Sequence, residues 1–515
     1  MKRLMLIISV AVASGCLAAV IMQMSRTSNL QSTAPLVEPS AKPLIPKFAD
    51  VAKRIGLSSP SNGPVCSANA AGSAWIDLDH QGAPELLLGS YAGWNVAWSV
   101  SAGKATPVQN LGVIKGATGL TVADYDNDGW DDLLVSTQSG PRLYRNYSGQ
   151  LKDITASSGL QPHKLGMSAA WGDLNRDGLL DLALIQGNNC VGESNTGFHF
   201  GQMHLYTQRP GGRFVLSDSL VKPAAMPALG MAVAWTDLND DGWLDLYLAN
   251  DNMGGVGNQA WLNKHGRLVE GFPSANISIN SMGIGLGDVN RDSRMDLAIS
   301  NIEPMNLLLN HPSKFKRERL ASSLATHLPI TWGSVVEDFN NDGWEDIWSA
   351  AGGIEGGAAD SQVFYLNRGP NHAIDDYAQP AGISKHHRGR SVAVSDINHD
   401  GNLDVALASL NDRPALFMNK GASRKGHWLE VTLKGDPAFK SPRSACGARA
   451  WVSSGLLKLM REVGCGSEGF GSSSDPTLHF GLGVSLATVK LKVRWPGGQI
   501  KHYKLQPDRH YVIKE

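Results

Sequence analysis

Short clusters of aspartate and asparagine recur along this chain of 515 residues. In the stretch TDLNDDGWLDLYLAN, residues 236–250, side-chain oxygens stand at Asp237, Asn239, Asp241 and Asp245, and the apolar strand-like run continues directly after them. Carboxylates this close to one another repel, and burying them without a partner is costly. We therefore expect a cation to lie among these side chains.

The same spacing occurs in six near-complete copies. Counted from the first aspartate of each copy, oxygen-bearing side chains stand at positions 1, 3, 5 and 9, and glycine usually stands at position 6. The candidate metal ligands are Asp124, Asp126, Asp128, Asp132, Asp173, Asn175, Asp177, Asp181, Asp237, Asn239, Asp241, Asp245, Asp288, Asn290, Asp292, Asp296, Asp338, Asn340, Asp342, Asp346, Asp396, Asn398, Asp400 and Asp404. A weaker copy begins at Asp77, where Gln81 is neutral and Glu85 replaces the last aspartate. We expect metal in five or six loops and not in this first one.

The spacing and the ligand type together indicate Ca²⁺. Hard oxygen ligands at alternating positions can wrap one Ca²⁺ ion, with a backbone carbonyl near position 7 and water completing its shell. Gly242 suits the turn that this requires, whereas Ser293 takes the glycine position in the copy that begins at Asp288 and predicts strain there. Mg²⁺ prefers fewer protein ligands, and softer metals would need Cys or His at a ligand position. The alternative interpretation is that the clusters form only Asx turns.

The flanks of the clusters predict the elements that position them. A strand such as MAVAWT precedes each cluster, a second such as LYLAN follows, and in most units a third such as QAWLN ends in asparagine. The clusters begin 47 to 64 residues apart, a period that fits one four-stranded propeller blade. The sequence therefore predicts an all-β fold, with a seven-bladed β-propeller over residues 46–420 and a small β domain over residues 426–515.

The N-terminus predicts export. Lys2 and Arg3 precede nineteen uncharged residues, 4–22, so residues 1–25 are expected to be a signal peptide or a signal anchor just long enough to span a bilayer. The letters ASGC ending at Cys16 also resemble a lipoprotein processing site, and both alternatives stay open. Residues 26–45 are rich in Ser, Thr and Pro and are expected to be a flexible linker. We expect a periplasmic, cell-surface or extracellular protein that is tethered to a membrane.

The repeats resemble the FG-GAP/VCBS family, whose DxDxDGxxD loops bind Ca²⁺ in integrin-α-like propellers. The motifs GHWLEVTLKG, ACGARAWV, REVGCGSEGF, DPTLHFGLG and VRWPGG follow in order after residue 425. Together they resemble the ASPIC/UnbV domain of cartilage acidic proteins and of many bacterial envelope proteins. Cys446 and Cys465 replace an aliphatic and a small residue of that family, which favours a disulfide bond between them. A bond between Cys66 and Cys190 is less favoured.

The formal net charge of −1 gives no global attraction to nucleic acid. Residues 426–515 hold thirteen Lys and Arg against seven Asp and Glu, which makes this part +6 and the rest of the chain −7. Its candidate contact residues for an acidic glycan, a lipid headgroup or the propeller face are Arg449, Arg461, Lys490, Lys492 and Arg494. Ordinary solvated strand faces are the alternative. His479 is expected to be a packed residue rather than a ligand.

We find no catalytic triad, paired-carboxylate signature or cofactor fingerprint, and we assign no catalytic or cofactor-binding residue. The leading hypothesis is a non-enzymatic, calcium-stabilised platform for binding, adhesion or assembly in the cell envelope, with a protein or glycan partner. One alternative is an envelope enzyme or biosynthetic accessory that uses the propeller channel, with candidates His163, His327, His386, His387 and the insert at 186–204. Another is a glycan receptor that exposes Trp94, Trp98 and Trp261.

Overall fold

The computed structural model describes residues 43–515 except 59–71, 91–92, 102, 165, 189–198, 253–254, 303, 321–328, 354–358, 371–372, 385, 423–425, 465, 467–468 and 486. Met1–Pro43 and Leu44–Glu515 form two separate units, and the described strands and helices belong to the second. The features predicted outside the described residues are the segment 1–25, most of the linker 26–45, Cys16, Cys66, Cys190, His327 and Cys465. In the part that the structure describes, no helix is long and apolar enough to cross a membrane.

The repeat region consists almost entirely of strands. In chain order they are β1 (Phe48–Asp50), β2 (Ser73–Ile76), β3 (Glu85–Leu88), β4 (Trp94–Ser101), β5 (Lys104–Val113), β6 (Ala117–Ala123), β7 (Asp132–Thr137), β8 (Arg142–Asn146), β9 (Leu151–Asp153), β10 (Gly166–Gly172), β11 (Asp181–Asn188), β12 (His199–Arg209), β13 (Arg213–Leu216), β14 (Val221–Lys222), β15 (Leu229–Thr236), β16 (Asp245–Asp251), β17 (Gln259–Asn263), β18 (Leu268–Glu270), β19 (Ile284–Gly287), β20 (Asp296–Ile299), β21 (Met305–His311), β22 (Lys314–Leu320), β23 (Thr331–Glu337), β24 (Asp346–Ala351), β25 (Asp360–Ser361), β26 (Val363–Leu366), β27 (Asp375–Asp376), β28 (His386–His387), β29 (Gly389–Ser395), β30 (Asp404–Ser409) and β31 (Ala415–Asn419). The one-turn helices between them are α1 (Ala52–Ile55), α2 (Thr155–Ser158) and α3 (Ala378–Ala381).

These strands form seven four- or five-stranded sheets in the described part of the chain, one for each predicted repeat. The sheets contain β2–β5, β6–β9, β10–β13, β14–β18, β19–β22, then β23, β24, β26 and β27, and finally β29–β31 with β1. The first strand of each repeat contacts the first strand of the next, and β29 contacts β2, so the inner strands close a ring. The strand β1 completes the last sheet by pairing antiparallel to β31. The predicted all-β propeller is confirmed.

The C-terminal part is a small β domain, as predicted. Its strands are β32 (His427–Lys434), β33 (Arg449–Ser454), β34 (Leu457–Glu462), β35 (Ser472–Ser473), β36 (Leu478–Gly483), β37 (Val489–Arg494), β38 (Ile500–Leu505) and β39 (Arg509–Lys514). One sheet has the order β36-β32-β39 and the other the order β34-β33-β37-β38. Alternating residues such as Val431, Ala450 and Val493 form a shared core between these sheets. Cys446 is disulfide-bonded, and its expected partner lies outside the described residues.

A segment of the C-terminal domain, residues 469–475, lies inside the ring of inner strands. Gly469 bridges to β19, and β35 pairs with β2. The Phe470 ring packs edge-on against Trp332 of β23 with 5.5 Å between the ring centroids. The backbone nitrogen of Leu120 in β6 donates to Gly471 O over 3.1 Å. One segment therefore contacts inner strands from widely separated repeats and ties the small domain to the propeller axis.

Candidate metal centre

The candidate ligands lie in what we call the acid loops, which join the first and second strands of each sheet. They are residues 77–85, 124–132, 173–181, 237–245, 288–296, 338–346 and 396–404. In the loop that follows β15, the last carboxylate belongs to Asp245, the first residue of β16, and is fully buried. Its two oxygens accept hydrogen bonds from the backbone nitrogens of Leu238 (2.9 Å) and Asn263 (2.6 Å). Position 9 therefore links the loop to the third strand of the same sheet.

The side-chain oxygens at positions 1 and 3 accept hydrogen bonds from backbone nitrogens of the same loop. Asp237 accepts from the backbone nitrogens of Asp241 (3.1 Å) and Gly242 (2.9 Å), and Asn239 Oδ1 accepts from the same Asp241 nitrogen over 2.9 Å. The same three bonds occur at the loops that begin at Asp124, Asp173, Asp288, Asp338 and Asp396. The Asx-turn geometry is thus present. It leaves further lone pairs on these oxygens for a cation.

Three of the predicted ligands come together at a spacing that suits one ion. Asp124, Asp126 and Asp128 each offer a carboxylate oxygen, and these atoms lie within 4.8 Å of one another. Two oxygens bound to the same Ca²⁺ at about 2.3–2.6 Å cannot be more than roughly 5 Å apart. The loop therefore has the dimensions of a Ca²⁺ site.

Two positions in each loop adopt left-handed backbone conformations. Glycines at position 6, such as Gly242 (φ 89°), do so without a steric penalty. Ser293 is held at φ 66°, which agrees with the strain expected at that position. Position 4 is also left-handed, as at Asp240 (φ 61°) and His399 (φ 54°). The left-handed position 4 was not predicted, although asparagine, aspartate and histidine, which recur there, are the non-glycine residues that tolerate this region best.

Burial makes these carboxylates costly to ionise in the absence of a cation. It raises the pKa of Asp245 and Asp296 to about 8 and that of Asp132 to about 9. At position 1, burial and, to a smaller extent, neighbouring carboxylates raise the pKa of Asp124 and Asp173 to about 7. A divalent ion would oppose both effects. Positions 1, 3, 5 and 9 of six loops therefore form a donor set that fits Ca²⁺.

The first acid loop, residues 77–85, has hydrogen bonds like those of the other six loops but lacks a carboxylate at position 5. Glu85 takes the role of position 9, and its carboxylate accepts from the backbone nitrogen of Leu78 over 3.1 Å. Asp79 accepts from the backbone nitrogen of Gln81 over 3.1 Å, but Gln81 brings no carboxylate to position 5. This loop can fold as its neighbours do while offering a poorer metal site.

In the loops at 124–132 and 237–245 the protein itself places a cation on the carboxylates. Arg145 lies 2.7 Å from Asp126 and 2.9 Å from Asp128. In the second of these loops, Arg494 Nη2 lies 2.6 Å from Asp237 Oδ2. An arginine therefore supplies part of the positive charge that the sequence predicted in that loop.

The C-terminal domain covers part of the acid-loop face. Arg449 is fully buried and binds Glu462 (2.6 Å) of its own domain and Asp240 (2.9 Å) of a loop. Arg461 binds Glu337 and Glu345 over 2.7 and 3.1 Å. Of the five candidate contact cations, Arg449, Arg461 and Arg494 thus meet the propeller face. Lys490 is exposed and Lys492 half-buried on another surface.

The terminal asparagine of the third strand joins neighbouring sheets. Asn263 Nδ2 donates to Leu174 O over 2.8 Å, in the acid loop of the preceding sheet. Asn146, Asn310, Asn367 and Asn419 donate in the same way to the preceding loop, and Gln208 takes this role in β12. The asparagine that ends the third strand recurs in the sequence, but its hydrogen-bond partner could not be predicted, because that partner lies in another repeat.

The histidines proposed for the channel occupy separate environments. His163 stacks on His204 with 3.8 Å between the ring centroids. His387 is buried near Asp50 and Asp412, and His386 is exposed. They do not form one metal-sized group among the described residues.

Trp261 and His479 are both buried. Trp261 is only 2% exposed, because its indole packs inside the propeller, so the prediction of a rim position is wrong. His479 is buried as expected, and its Nε2 lies 2.7 Å from Asn341 Oδ1 of an acid loop.

Comparisons with known proteins agree with this architecture. The FG-GAP-like repeat model matches residues 77–135, 124–184, 237–299 and 338–433, together more than half of the chain. The model described as ASPIC and UnbV matches residues 438–515. Cartilage acidic protein 1 of Xenopus tropicalis is 25% identical over 474 residues, covering 74% of this chain and 70% of that protein. The Mus musculus protein is 22% identical, covering 83% and 71%.

Solved structures of other proteins are similar at lower levels. An Agrocybe aegerita lectin that recognises non-reducing terminal N-acetylglucosamine has 12% identity and a TM-score of 0.40, covering 69% of this chain and 90% of its own. BBS1N in complex with ARL6DN has 10% identity and a TM-score of 0.44, covering 73% and 97%. At these values neither likeness bears on function. The two family matches show that the chain belongs to the FG-GAP-like repeat family and that its C-terminal part is an ASPIC and UnbV domain.

Proposed function

We propose that this chain is an exported, calcium-stabilised platform that binds or assembles other molecules of the cell envelope. The observation that carries the proposal is the carboxylate set of the acid loops, in which positions 1 and 9 are buried in all six near-complete loops. In loop 124–132, three carboxylate oxygens also lie within 4.8 Å of one another. Ca²⁺ bound there would stabilise the turn at the exit of each inner strand. Because the unfolded chain has no such site, this binding energy would become folding energy.

Location outside the cytoplasm is part of the proposal. The apolar run at 4–22 after Lys2 and Arg3 supports export and attachment to a membrane through the N-terminus. The relatives are named after cartilage, which supports a location outside the cytoplasm here.

The binding surface that we propose is a groove of about 670 Å³ over β33, β34, β37 and β38. Its walls combine the ring of Trp451 with four lysines, Lys458, Lys490, Lys492 and Lys504. Lys492 Nζ lies 3.7 Å from the centroid of the Trp451 ring. Aromatic faces beside ammonium groups suit a sugar ring that carries an acidic substituent. We therefore propose an acidic glycan as the ligand.

A binding measurement tests this surface. Calcium-loaded full-length protein is titrated with heparin and, as a neutral control, with dextran. We expect salt-sensitive binding of heparin alone, weakened at least about 10-fold by Lys490→Ala with Lys504→Ala, because exposed lysines supply the attraction. The matched control changes two exposed lysines of β22, Lys314→Ala with Lys316→Ala. Equal losses in both double variants, or no heparin binding, would exclude this groove as the ligand site.

The alternative role of an envelope enzyme with a channel site has less support. Residues 469–475 lie among the inner strands, where a substrate would have to enter. The described channel histidines also have separate partners.

A further inference from the structure

A second kind of side-chain cluster lies between the last acid loop and the C-terminal domain. His399 stands at position 4 of loop 396–404, Glu430 lies on β32 and His510 on β39. Glu430 and His510 are direct register partners on adjacent parallel strands. One nitrogen of each histidine and one carboxylate oxygen of Glu430 all lie within 4.8 Å of one another. Residues from three separate parts of the chain thus converge on one point.

The cluster has a buried base and an open rim. Glu430 is 3% exposed, whereas His399 and His510 are both exposed. The surrounding cleft also includes Asp396 and Asp475. A carboxylate at the base with two imidazoles above it leaves room for solvent on the outer side.

Neighbouring polar groups hold two of the three side chains in place. Thr432 Oγ1 lies 2.7 Å from His510 Nε2 and 2.8 Å from Thr477 Oγ1. His479 Nδ1 lies 3.2 Å from Glu430 Oε1. Such outer contacts fix the orientation of metal ligands and are worth a factor of about 10–100 in metal affinity.

We propose that His399, Glu430 and His510 bind one divalent transition-metal ion of the Zn²⁺ type, which joins the C-terminal domain to the last acid loop. Two imidazoles with one carboxylate favour Zn²⁺ over Ca²⁺, because Ca²⁺ prefers an all-oxygen shell. Zn²⁺ ligand atoms at about 2.0–2.2 Å from the ion stand roughly 3.4 Å apart in a tetrahedron. The exposed histidines can close this gap by side-chain rotation, and water completes the shell. The ligands differ from the candidate Ca²⁺ ligands Asp396, Asn398, Asp400 and Asp404.

Calorimetric titration of the full-length protein with Zn²⁺, in saturating Ca²⁺, tests the proposal. We expect one Zn²⁺ per chain with micromolar or tighter affinity, and a loss of about 100-fold or more in His510→Ala and in His399→Ala, since a ligand contributes at least as much as an outer contact. The matched control is His502→Ala, an exposed histidine on β38. Co²⁺ should give the absorption bands of a tetrahedral site in the unchanged protein and in His502→Ala only.

Either of two results would overturn the proposal. One is the absence of Zn²⁺ binding at micromolar concentrations. The other is Zn²⁺ binding that survives both His510→Ala and His399→Ala, which would locate the ion elsewhere. His399 and His510 are exposed, and the left-handed conformation at His399 (φ 54°) costs alanine only roughly 1–2 kcal/mol. Both variants should therefore fold, and unchanged far-ultraviolet circular dichroism checks this.

Discussion

At the residue scale, the nine positions of an acid loop have different roles. Position 9 is buried and satisfies backbone nitrogens, so it supports the fold even without metal. Position 5 is more exposed, and its main role would be to bind a cation. In the loop at 288–296 these are Asp296, fully buried, and Asp292, exposed. The candidate ligand at position 9 therefore also supports the fold, whereas the candidate ligand at position 5 acts mainly on the cation.

Asp296→Ala should lower the free energy of unfolding by about 2–4 kcal/mol in a chelator, because two buried donors, the backbone nitrogens of Val289 (3.1 Å) and Asn310 (2.7 Å), lose their acceptor. Asp292→Ala in the same loop should cost less than about 1 kcal/mol in chelator but remove one bound Ca²⁺. Urea unfolding with and without Ca²⁺ measures both. Equal costs for the two variants in chelator would contradict this division of roles.

Ser293→Gly should stabilise the protein by about 0.5–1 kcal/mol. A left-handed conformation costs a non-glycine residue roughly 1–2 kcal/mol. Glycine avoids this cost, but it loses more conformational entropy on folding, which offsets part of the stabilisation. The expected result is a higher melting temperature in chelator. Ser293→Ala is the control and should bring no gain, since alanine keeps the Cβ atom. A destabilised glycine variant would show that φ 66° at this position is not strained.

At the element scale, the repeating unit could be predicted because its signals are local. Alternating apolar strands, the Asp-Gly turn and the terminal asparagine all lie within about fifty residues. What connects the units could not be predicted, because each partner lies in another repeat. The bond from Asn310 to Leu238 spans two sheets, and Arg449 reaches Asp240 from another domain. Neither contact leaves a pattern within one repeat.

Asn310→Ala should therefore weaken the contact between two neighbouring sheets. Its side-chain amide donates to Leu238 O (2.7 Å) and Met295 O (3.1 Å), both buried, and alanine leaves these acceptors unpaired. We expect a loss of about 2–4 kcal/mol in the free energy of unfolding, measured by urea denaturation. Asn276→Ala, at an exposed asparagine, is the control and should cost less than about 1 kcal/mol. A similar small loss for Asn310→Ala would show that the sheets hold together without this bond.

At the scale of the whole molecule, the small domain packs against the face of the propeller that carries the acid loops. Arginines of the C-terminal domain lie on acid-loop carboxylates, and residues 469–475 enter the ring of inner strands. The sequence predicted a separate small domain, since composition and spacing do not show that its segment joins the propeller. A contact set this extensive predicts that propeller and small domain unfold together.

Metal-free protein should lose stability as the pH rises from about 4 to about 8. The folded pKa of Asp245 and Asp296 is about 8, above the ordinary value of 3.8. The folded state therefore holds more protons than the unfolded state in this window. The resulting contribution to the free energy of unfolding is lost as the pH rises through the folded pKa. Melting in chelator at pH 5 and pH 8 measures the effect. Added Ca²⁺ should raise the melting temperature more at pH 8, and the reverse order would contradict the account.

The most direct test of the calcium account is the number of ions that the metal-free protein takes up. Calorimetric titration of full-length protein with Ca²⁺, with the melting temperature followed in parallel, should give five or six ions and a large rise in melting temperature. Asp237→Ala with Asp241→Ala should remove one ion and leave the others. No calcium uptake and an unchanged melting temperature would contradict the account and leave the acid loops as Asx turns alone.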